Sequence, residues 1–293
     1  MEELKKVLAA TDGTEHGLAA VVTGASWARR ASSSFEIATV VEVLMIPPVI
    51  APPGLNAGEF EPGFIGEARE SAAAQARDAG VSEAVIHVRA GLAPQLVAKI
   101  AEETKADLIV VGATPQPALA RSLVGSTGRR ILYLSHRPVL VANEPRREPF
   151  RRVLAAVDLS EESGRVLESA WAIARADRAE LRVLYVLEPL PLMLARAASY
   201  DESERMRHGR EQMERVLADV GLLEESAVHG RMRQGPSGKE ILEEAQDWDA
   251  DLIVVGTHGF GFFDRFLMGS TSLYVLRHGH RATLMIPRSD VGS

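Results

Sequence analysis

The sequence predicts an α/β protein of two tandem domains, each an open, mainly parallel sheet with helices on both faces. Three observations predict this. Short continuous apolar runs, such as Val7 to Ala10 and Leu252 to Val255, have the composition of strands buried on both faces, as parallel strands are. Between them lie segments whose apolar residues recur at helical spacing, such as Leu96, Ile100 and Ala101. The whole order then occurs twice. Asp107 to Gly128 (DLIVVGATPQPALARSLVGSTG) returns as Asp251 to Ser272 (DLIVVGTHGFGFFDRFLMGSTS), and Lys5 to Asp12 returns as Arg151 to Asp158. Trp27 pairs with Trp171, Arg121 with Arg265 and Gly125 with Gly269. A repeat on this scale is a duplicated domain, since solenoid periods are only ~20 to 50 residues. A chain of 293 residues accommodates two such domains.

In order, the first half opens with a strand at Val7 to Thr11, and Asp12-Gly13-Thr14 turns it into a helix whose Leu18, Val21, Val22, Ala25, Trp27 and Ala28 face a core. Ser32 to Ser34 end that helix, and a strand follows from Ile37 to Val43. The Pro- and Gly-rich stretch Ile46 to Gly66 is expected to be a loop, with an Ala- and Glu-rich helix from about Gly66 to Ala79 behind it. Next come a strand at Ala84 to Val88, a turn over Ala90 to Pro94, a helix from Gln95 to Lys105 and a strand at Leu108 to Gly112. A loop leads to the last helix, Thr127 to Ser135, and the last strand, Val139 to Val141. The polar, proline-flanked NEPRREP stretch from Asn143 to Pro149 is the expected linker. The domains are therefore 1–143 and 151–293, joined by 144–150.

Composition narrows the function. Apolar content of 46% and charged content of 25% are globular values. A net charge of −7 without a basic block interleaved with aromatics argues against nucleic acid as a partner. No apolar run approaches the ~18 residues of a membrane helix, and Met1 to Lys6 lacks the apolar core of a signal peptide, so a membrane partner is not expected and cytoplasm is the expected compartment. Cysteine is absent, which removes disulfides, thiolate metal sites and cysteine nucleophiles.

The stretch with the most chemistry is the second glycine loop. Gly256 closes an apolar strand, Gly259 follows, and after nine more residues Gly269, Ser270 and Thr271 open a helix. Glycines there allow close backbone approach to a ligand. The helix start offers N–H groups, hydroxyls and the positive end of the dipole, which together suit a phosphate. In parallel sheets ligands bind beyond the carboxyl ends of the strands at the topological switch point, where these loops and the Asp12 and Asp158 turns lie. Both aspartates are also natural helix N-caps.

These residues resemble the universal stress protein family, here as a tandem pair. The family pattern of Gly, two residues, Gly, nine residues and Gly-Ser or Gly-Thr stands complete in Gly256, Gly259, Gly269 and Ser270, beside Asp158, Val186 and Gly-Thr-His-Gly. The resemblance implies a five-stranded doubly wound sheet of the adenine nucleotide α-hydrolase-like kind with ATP or AMP at its carboxyl edge. Ala156 and Asp158 would lie near adenine and ribose, Val186 on the base, and Gly256, Gly259, Gly269, Ser270 and Thr271 about the phosphates, with His258 near them and Val255 also among the binding residues. Arg265 is placed to reach the terminal phosphate. Magnesium is expected only in company with the nucleotide's own oxygens. In the first half the matching positions are Ala10, Asp12, Val40, Gly112, Arg121, Gly125, Ser126 and Thr127, but Pro115 stands where the middle glycine belongs. Proline gives no N–H and fixes φ, so this site is expected to bind more weakly.

The expected function is nucleotide-dependent stress response or regulation, with at most slow ATP hydrolysis or autophosphorylation, since no general base accompanies Ser270 and Thr271. The alternatives are an adenylate-forming enzyme of the wider α-hydrolase-like group, or a scaffold with vestigial sites in which Phe260, Phe262 or Phe263 fills the pocket. The last strands, Val139 to Val141 and Leu284 to Ile286, are edges through which the halves are expected to pair, and a homodimer is expected as well. Trp27 and Trp171 are expected in the core. Glu2-Glu3, Glu161-Glu162 and Glu243-Glu244 are expected on solvated helix faces, and His278-Gly279-His280 at a helix C-terminus.

Overall fold

In the computed structural model the described residues are 4–42, 57–115, 122–123, 126–189, 202–257 and 269–288, with side chains described except at 57–62, 114–115, 122–123, 126 and 202. Two compact units divide the chain, one of Glu3–Thr114 with Val124–Glu148 and the other chiefly of Pro149–Ser293.

The first unit contains β1 (Lys6–Thr11), α1 (Glu15–Arg30), β2 (Ser34–Val41), α2 (Ala57–Asp78), β3 (Val85–Ala90), α3 (Ala93–Glu103) and β4 (Leu108–Gly112). A two-stranded ladder of β5 (Thr114–Pro115) and β6 (Ser122–Leu123) interrupts the expected loop before α4 (Ser126–Leu134) and β7 (Val139–Ala142). Five strands pair in parallel in the order β3-β2-β1-β4-β7. The chain thus winds outward one way from β1 and then the other way from β4. Helices α1 and α2 pack together on one face, and α3 and α4 on the other. Val7, Leu8, Ala9, Leu108, Ile109 and Val110 are fully buried, as continuous apolar strands between two helical layers must be.

The second unit repeats the plan with β8 (Arg152–Val157), α5 (Ser163–Asp177), β9 (Glu180–Leu187), α6 (Glu202–Asp219), β10 (Val228–Gln234), α7 (Ser237–Asp247), β11 (Leu252–Gly256), α8 (Ser270–His278) and β12 (Ala282–Ile286). Its parallel order is β10-β9-β8-β11-β12. Asp107 and Asp251 begin the central strands alike: Asp107 Oδ2 accepts the N–H of Lys5 and Lys6 at 2.9 Å, and Asp251 Oδ2 those of Arg151 and Arg152 at 2.7 and 3.1 Å.

Four local expectations need correction. Helix α2 begins at Ala57, inside the stretch read as a loop, despite Pro62, Gly63 and Gly66. A Cβ at Gly63 or Gly66 would meet nothing, so these two glycines lie on an outer face where they obstruct no packing. Asp12 is not the N-cap of α1. Thr14 is, accepting the Gly17 N–H, while Asp12 Oδ1 accepts the N–H and hydroxyl of Thr14 two residues on and closes a turn. Trp171 is only half-buried, whereas Trp27 is in the core. Glu244 is not solvated. It is buried at the start of a charge network, because Arg182 and Arg233 on the adjoining strands supply partners.

The C-terminus of α8 does fall at His278, with Gly279 ending the helix at φ −78° and ψ 144°. A side chain there would strike the Val275 carbonyl oxygen, which explains glycine without a left-handed turn. His278 stacks on Tyr274 at 4.1 Å and its Nδ1 lies 2.9 Å from the Tyr274 carbonyl oxygen.

Candidate functional site

At the carboxyl edge of the second sheet, strand register sets three small or branched side chains abreast. Leu184 on β9 faces Ala156 on β8, and Ala156 faces Val255 on β11. Since β8 and β11 flank the reversal of strand order, the crevice opens between their ends. A pocket of about 660 Å³ occupies it, within the size range of small-molecule sites. Its apolar floor is Ala156, Leu184, Val186, Val255 and Ile241. Its polar rim carries Asp158, Ser163, Glu188, Arg205, Gln212, Ser270 and Thr271.

The β11 side of the pocket ends in a helix start, a feature that suits an anion. Gly269 precedes α8 with no side-chain cap, so the first-turn N–H groups of the nine-residue helix lack intrahelical acceptors and point outward. The turn is braced from beneath. Gly269 N–H donates to the Thr257 carbonyl oxygen at 2.8 Å, Thr257 N–H to that of Ile286 at 2.9 Å, and the buried Ser272 hydroxyl to that of Gly256 at 2.6 Å. Ser270 is left exposed and Thr271 half-buried at the rim.

At the end of β8 the chain turns through Leu159 at φ 60°, a left-handed conformation costly for a branched side chain, by about 1–3 kcal/mol. Asp158 holds that turn: its Oδ1 accepts the Ser160 N–H at 3.0 Å, the Ser160 hydroxyl at 2.6 Å and the Ser163 hydroxyl at 3.1 Å. The carboxylate is thereby fixed in direction at the pocket mouth. Helix α5 carries no side-chain cap, so Asp158, like Asp12, serves the turn rather than the helix start.

The remaining wall comes from α6 and the end of β9. Arg205 Nη2 donates to the Glu188 carbonyl oxygen at 3.0 Å, and Glu188 Oε1 accepts the Ser237 N–H at 3.3 Å at the start of α7. Burial pushes the Tyr185 phenol upward, Arg205 opposes this, and Asp158 and Glu188 add to it.

Of the residues singled out in sequence, the structure brings Ala156, Asp158, Val186, Val255, Gly256, Gly269, Ser270 and Thr271 together around this one pocket. His258, Gly259 and Arg265 lie outside the described residues, as do Phe260, Phe262 and Phe263. Sequence reasoning missed Arg205, Gln212, Tyr185 and Ser272. Ser272 was legible as the third hydroxyl of Gly-Ser-Thr-Ser, but the α6 residues had no motif to mark them.

The first unit has a different edge. Ala10, Asp12, Val40 and Gly112 lie at or next to the carboxyl ends of β1, β2 and β4, and Thr127 is half-buried in the first turn of α4. Arg121 and Gly125 lie outside the described residues, and Ser126 is described by its backbone alone. Gly112 packs on α1, where any side chain would run into the His16 carbonyl oxygen. Above Thr11 the buried Gln75 of α2 forms a clasp, its Oε1 accepting the Thr11 hydroxyl at 2.6 Å and its Nε2 donating to the Thr14 carbonyl oxygen at 2.8 Å.

The universal stress protein family model matches residues 3–143 and again 149–287. The chain belongs to the universal stress protein family. Among family relatives, universal stress protein A homolog 2 of Coxiella burnetii is 31% identical over 144 residues, 47% of this chain and 95% of that one. A universal stress protein of Mycobacterium tuberculosis is 27% identical over 199 residues, 64% of this chain and 66% of that one. A universal stress protein from Archaeoglobus fulgidus has a matching structure, with TM-score 0.73 at 20% identity, covering 99% of this chain and 100% of that one. At that identity the match speaks for the fold. No described helix is long and apolar enough to cross a membrane.

Proposed function

We propose that the second unit binds an adenine nucleotide, ATP or AMP, and that the protein acts as a nucleotide-dependent stress-response or regulatory protein. The observation that carries this reading is the pocket at the β8/β11 crevice, where an apolar floor, an oriented carboxylate and an uncapped helix start converge. The base packs on Val186 and Val255, the ribose hydroxyls meet Asp158, and the phosphates take the first-turn N–H groups of α8 with Ser270 and Thr271. Regulation follows from differential affinity, because a bound nucleotide shifts a conformational equilibrium only as far as it prefers one state.

Protein purified from cells should release an adenine nucleotide on denaturation, identified by mass spectrometry, and should rebind it in calorimetry. Gly259→Pro, which imports the residue of the first loop, removes an N–H donor and should weaken binding by about 2 kcal/mol, roughly thirtyfold. Protein that neither carries nor binds an adenine nucleotide, or a Gly259→Pro protein that binds as wild type does, would overturn the reading.

A further inference from the structure

The nucleotide of the reading above runs along the end of the second sheet in one direction. Its phosphates take the α8 start on the β11 side, its ribose meets Asp158 beyond β8, and its base packs on Val186 near the end of β9. A purine joins the ribose through N9, so the edge bearing N1 and the group on C6 points away from the sugar and past Val186. Glu188, two residues beyond Val186, and Ser237, at the start of α7, line the pocket there. The Glu188 carboxylate is oriented, its Oε1 accepting the Ser237 N–H at 3.3 Å. Among the described residues its Oε2 and the Ser237 hydroxyl make no hydrogen bond, so both are open to the pocket. Asp158, Glu162 and Glu188 together make this end acidic, which favours phosphates at the α8 end and a hydrogen-bond donor at the base end.

Donor and acceptor chemistry then separates the purines. A carboxylate only accepts, so the 6-amino group of adenine donates to it, whereas the 6-oxo group of hypoxanthine sets a second acceptor against it. A hydroxyl both donates and accepts, so Ser237 serves N1 of either base. The first unit keeps a carboxylate at Glu42, two residues beyond Val40, without the rest of the arrangement. Gly91 and Gly235 precede α3 and α7 at φ 143° and 146°, which pairs Ala93 with Ser237. Gly80 and Gly221 follow α2 and α6 at φ 72° and 70°, which pairs Gln75, the residue bonded to Thr11, with Val216. Carboxylate, hydroxyl and pocket coincide in the second unit.

We propose that Glu188 sets the base specificity of the site: its carboxylate accepts the 6-amino group, so that the pocket takes adenine nucleotides and rejects their hypoxanthine counterparts. The proposal rests on the nucleotide reading above. Rejection is the stronger half of the effect, because a 6-oxo base leaves the carboxylate and the carbonyl facing each other with no proton between them.

The test is calorimetry on the full chain with adenosine 5′-monophosphate and inosine 5′-monophosphate, which share ribose and phosphate and differ at C6 and N1 of the purine. Wild type should bind the adenosine ligand about tenfold or more tightly, the scale of one charge-assisted hydrogen bond. Glu188→Gln carries an amide that either donates or accepts, so adenosine binding should fall while inosine binding holds or rises, and the ratio should approach unity. A mere loss of packing would lower both alike. Ser237→Ala, which installs the first-unit residue, keeps the N–H that orients Glu188 and should keep the wild-type ratio. Glu188 is exposed, and thermal unfolding of the variants at the wild-type midpoint will show that the fold is kept. A wild-type ratio near unity, a ratio that survives in Glu188→Gln, or one lost equally in Ser237→Ala overturns the role of Glu188 while leaving nucleotide binding in place. Failure of both monophosphates to bind overturns the underlying nucleotide reading, and the base selection with it.

Discussion

The two units run the same strand order and end their central strands with the same aspartate, yet they line the crevice beyond those strands differently. In the first unit a helix side chain reaches in: Gln75 bonds Thr11 and Thr14, and Ser71 leaves no room for a side chain at Gly13. In the second unit, Val157 and Leu159 replace Thr11 and Gly13, Val216 stands where Gln75 does, and a pocket of about 660 Å³ lies there. The braces differ too. Ser272 clips α8 to the Gly256 carbonyl, and its counterpart in the first unit is Gly128, which has no hydroxyl to do this. Duplication preserved the frame, while the side chains at the mouth of the crevice diverged.

A second contrast lies under α3 and α7. In the first unit Glu36 on β2 meets Lys6 Nζ at 2.6 Å and His87 Nε2 at 2.7 Å, all partly reached by water or close to it. In the second unit the charges are reversed. Arg182 stands in the Glu36 position, stacked over Trp248 at 4.2 Å, and Glu244 on α7 accepts from Arg182 Nη1 and Arg233 Nε, each at 2.6 Å. Glu244 has only 2% of its side chain exposed, and Arg233 also pairs with Glu240 and Asp247. Removing Glu244 takes away the carboxylate partner of Arg182 and one of the partners of Arg233 inside the protein. Glu244→Gln should therefore cost about 3–5 kcal/mol. Glu36→Gln, whose carboxylate keeps 12% exposure against 2% for Glu244, should cost roughly 1 kcal/mol. Urea unfolding followed by tryptophan fluorescence separates the two, because Trp248 sits against the affected network. Equal losses would mean that burial does not distinguish these networks.

The clasp offers the next largest effect. Gln75→Val installs the second-unit residue and leaves the buried Thr11 hydroxyl without that acceptor, a loss of about 1–2 kcal/mol in stability. If the clasp is what closes the first crevice, the variant should also gain affinity for adenine nucleotide at the first unit, seen as additional stoichiometry in calorimetry. Loss of stability without any gain in binding would place the difference between the units in Pro115 and its loop rather than in Gln75.

Much of this was readable from sequence, and the unreadable part has a physical pattern. Continuous apolar runs declare parallel strands, and the duplicated Gly-Ser-Thr declares the α8 start, because backbone requirements restrict which residues serve there. Asp158 was visible as a turn residue, though its bonds to Ser160 and Ser163 rather than to a helix end depended on spacing that a motif does not weigh. Helix α2 was cut short because Pro62, Gly63 and Gly66 break helices by propensity, and tertiary context overrides propensity. Arg205, Gln212 and Gln75 were invisible for another reason. Each sits on an otherwise polar or Ala-rich helix, and its role depends on which strand end the helix crosses. Glu244 looked solvated for the same reason, since its partners lie on β9 and β10, far away in sequence.

The smallest effect concerns acid. Burial raises the Glu36 carboxyl, but its bonds to Lys6 and His87 and their charges outweigh this, so its pKa lies below the ordinary value of 4.5. A carboxylate with a depressed folded-state pKa contributes stability that is fully present above the unfolded pKa and lost as pH falls through the folded one. Arg89 and Glu103 add a parallel pair on the neighbouring elements, where the carboxyl is likewise lowered by its bond to Arg89. The stability gap between wild type and Glu36→Gln should accordingly be present above the ordinary carboxyl value of 4.5 and close as pH falls below it, through the lowered folded-state value. Parallel urea titrations of the two proteins across that range read the gap directly. A gap that stays constant into acid would show that Glu36 contributes through shape and neutral hydrogen bonds, and the charge reversal between the units would then carry no electrostatic consequence on the first-unit side.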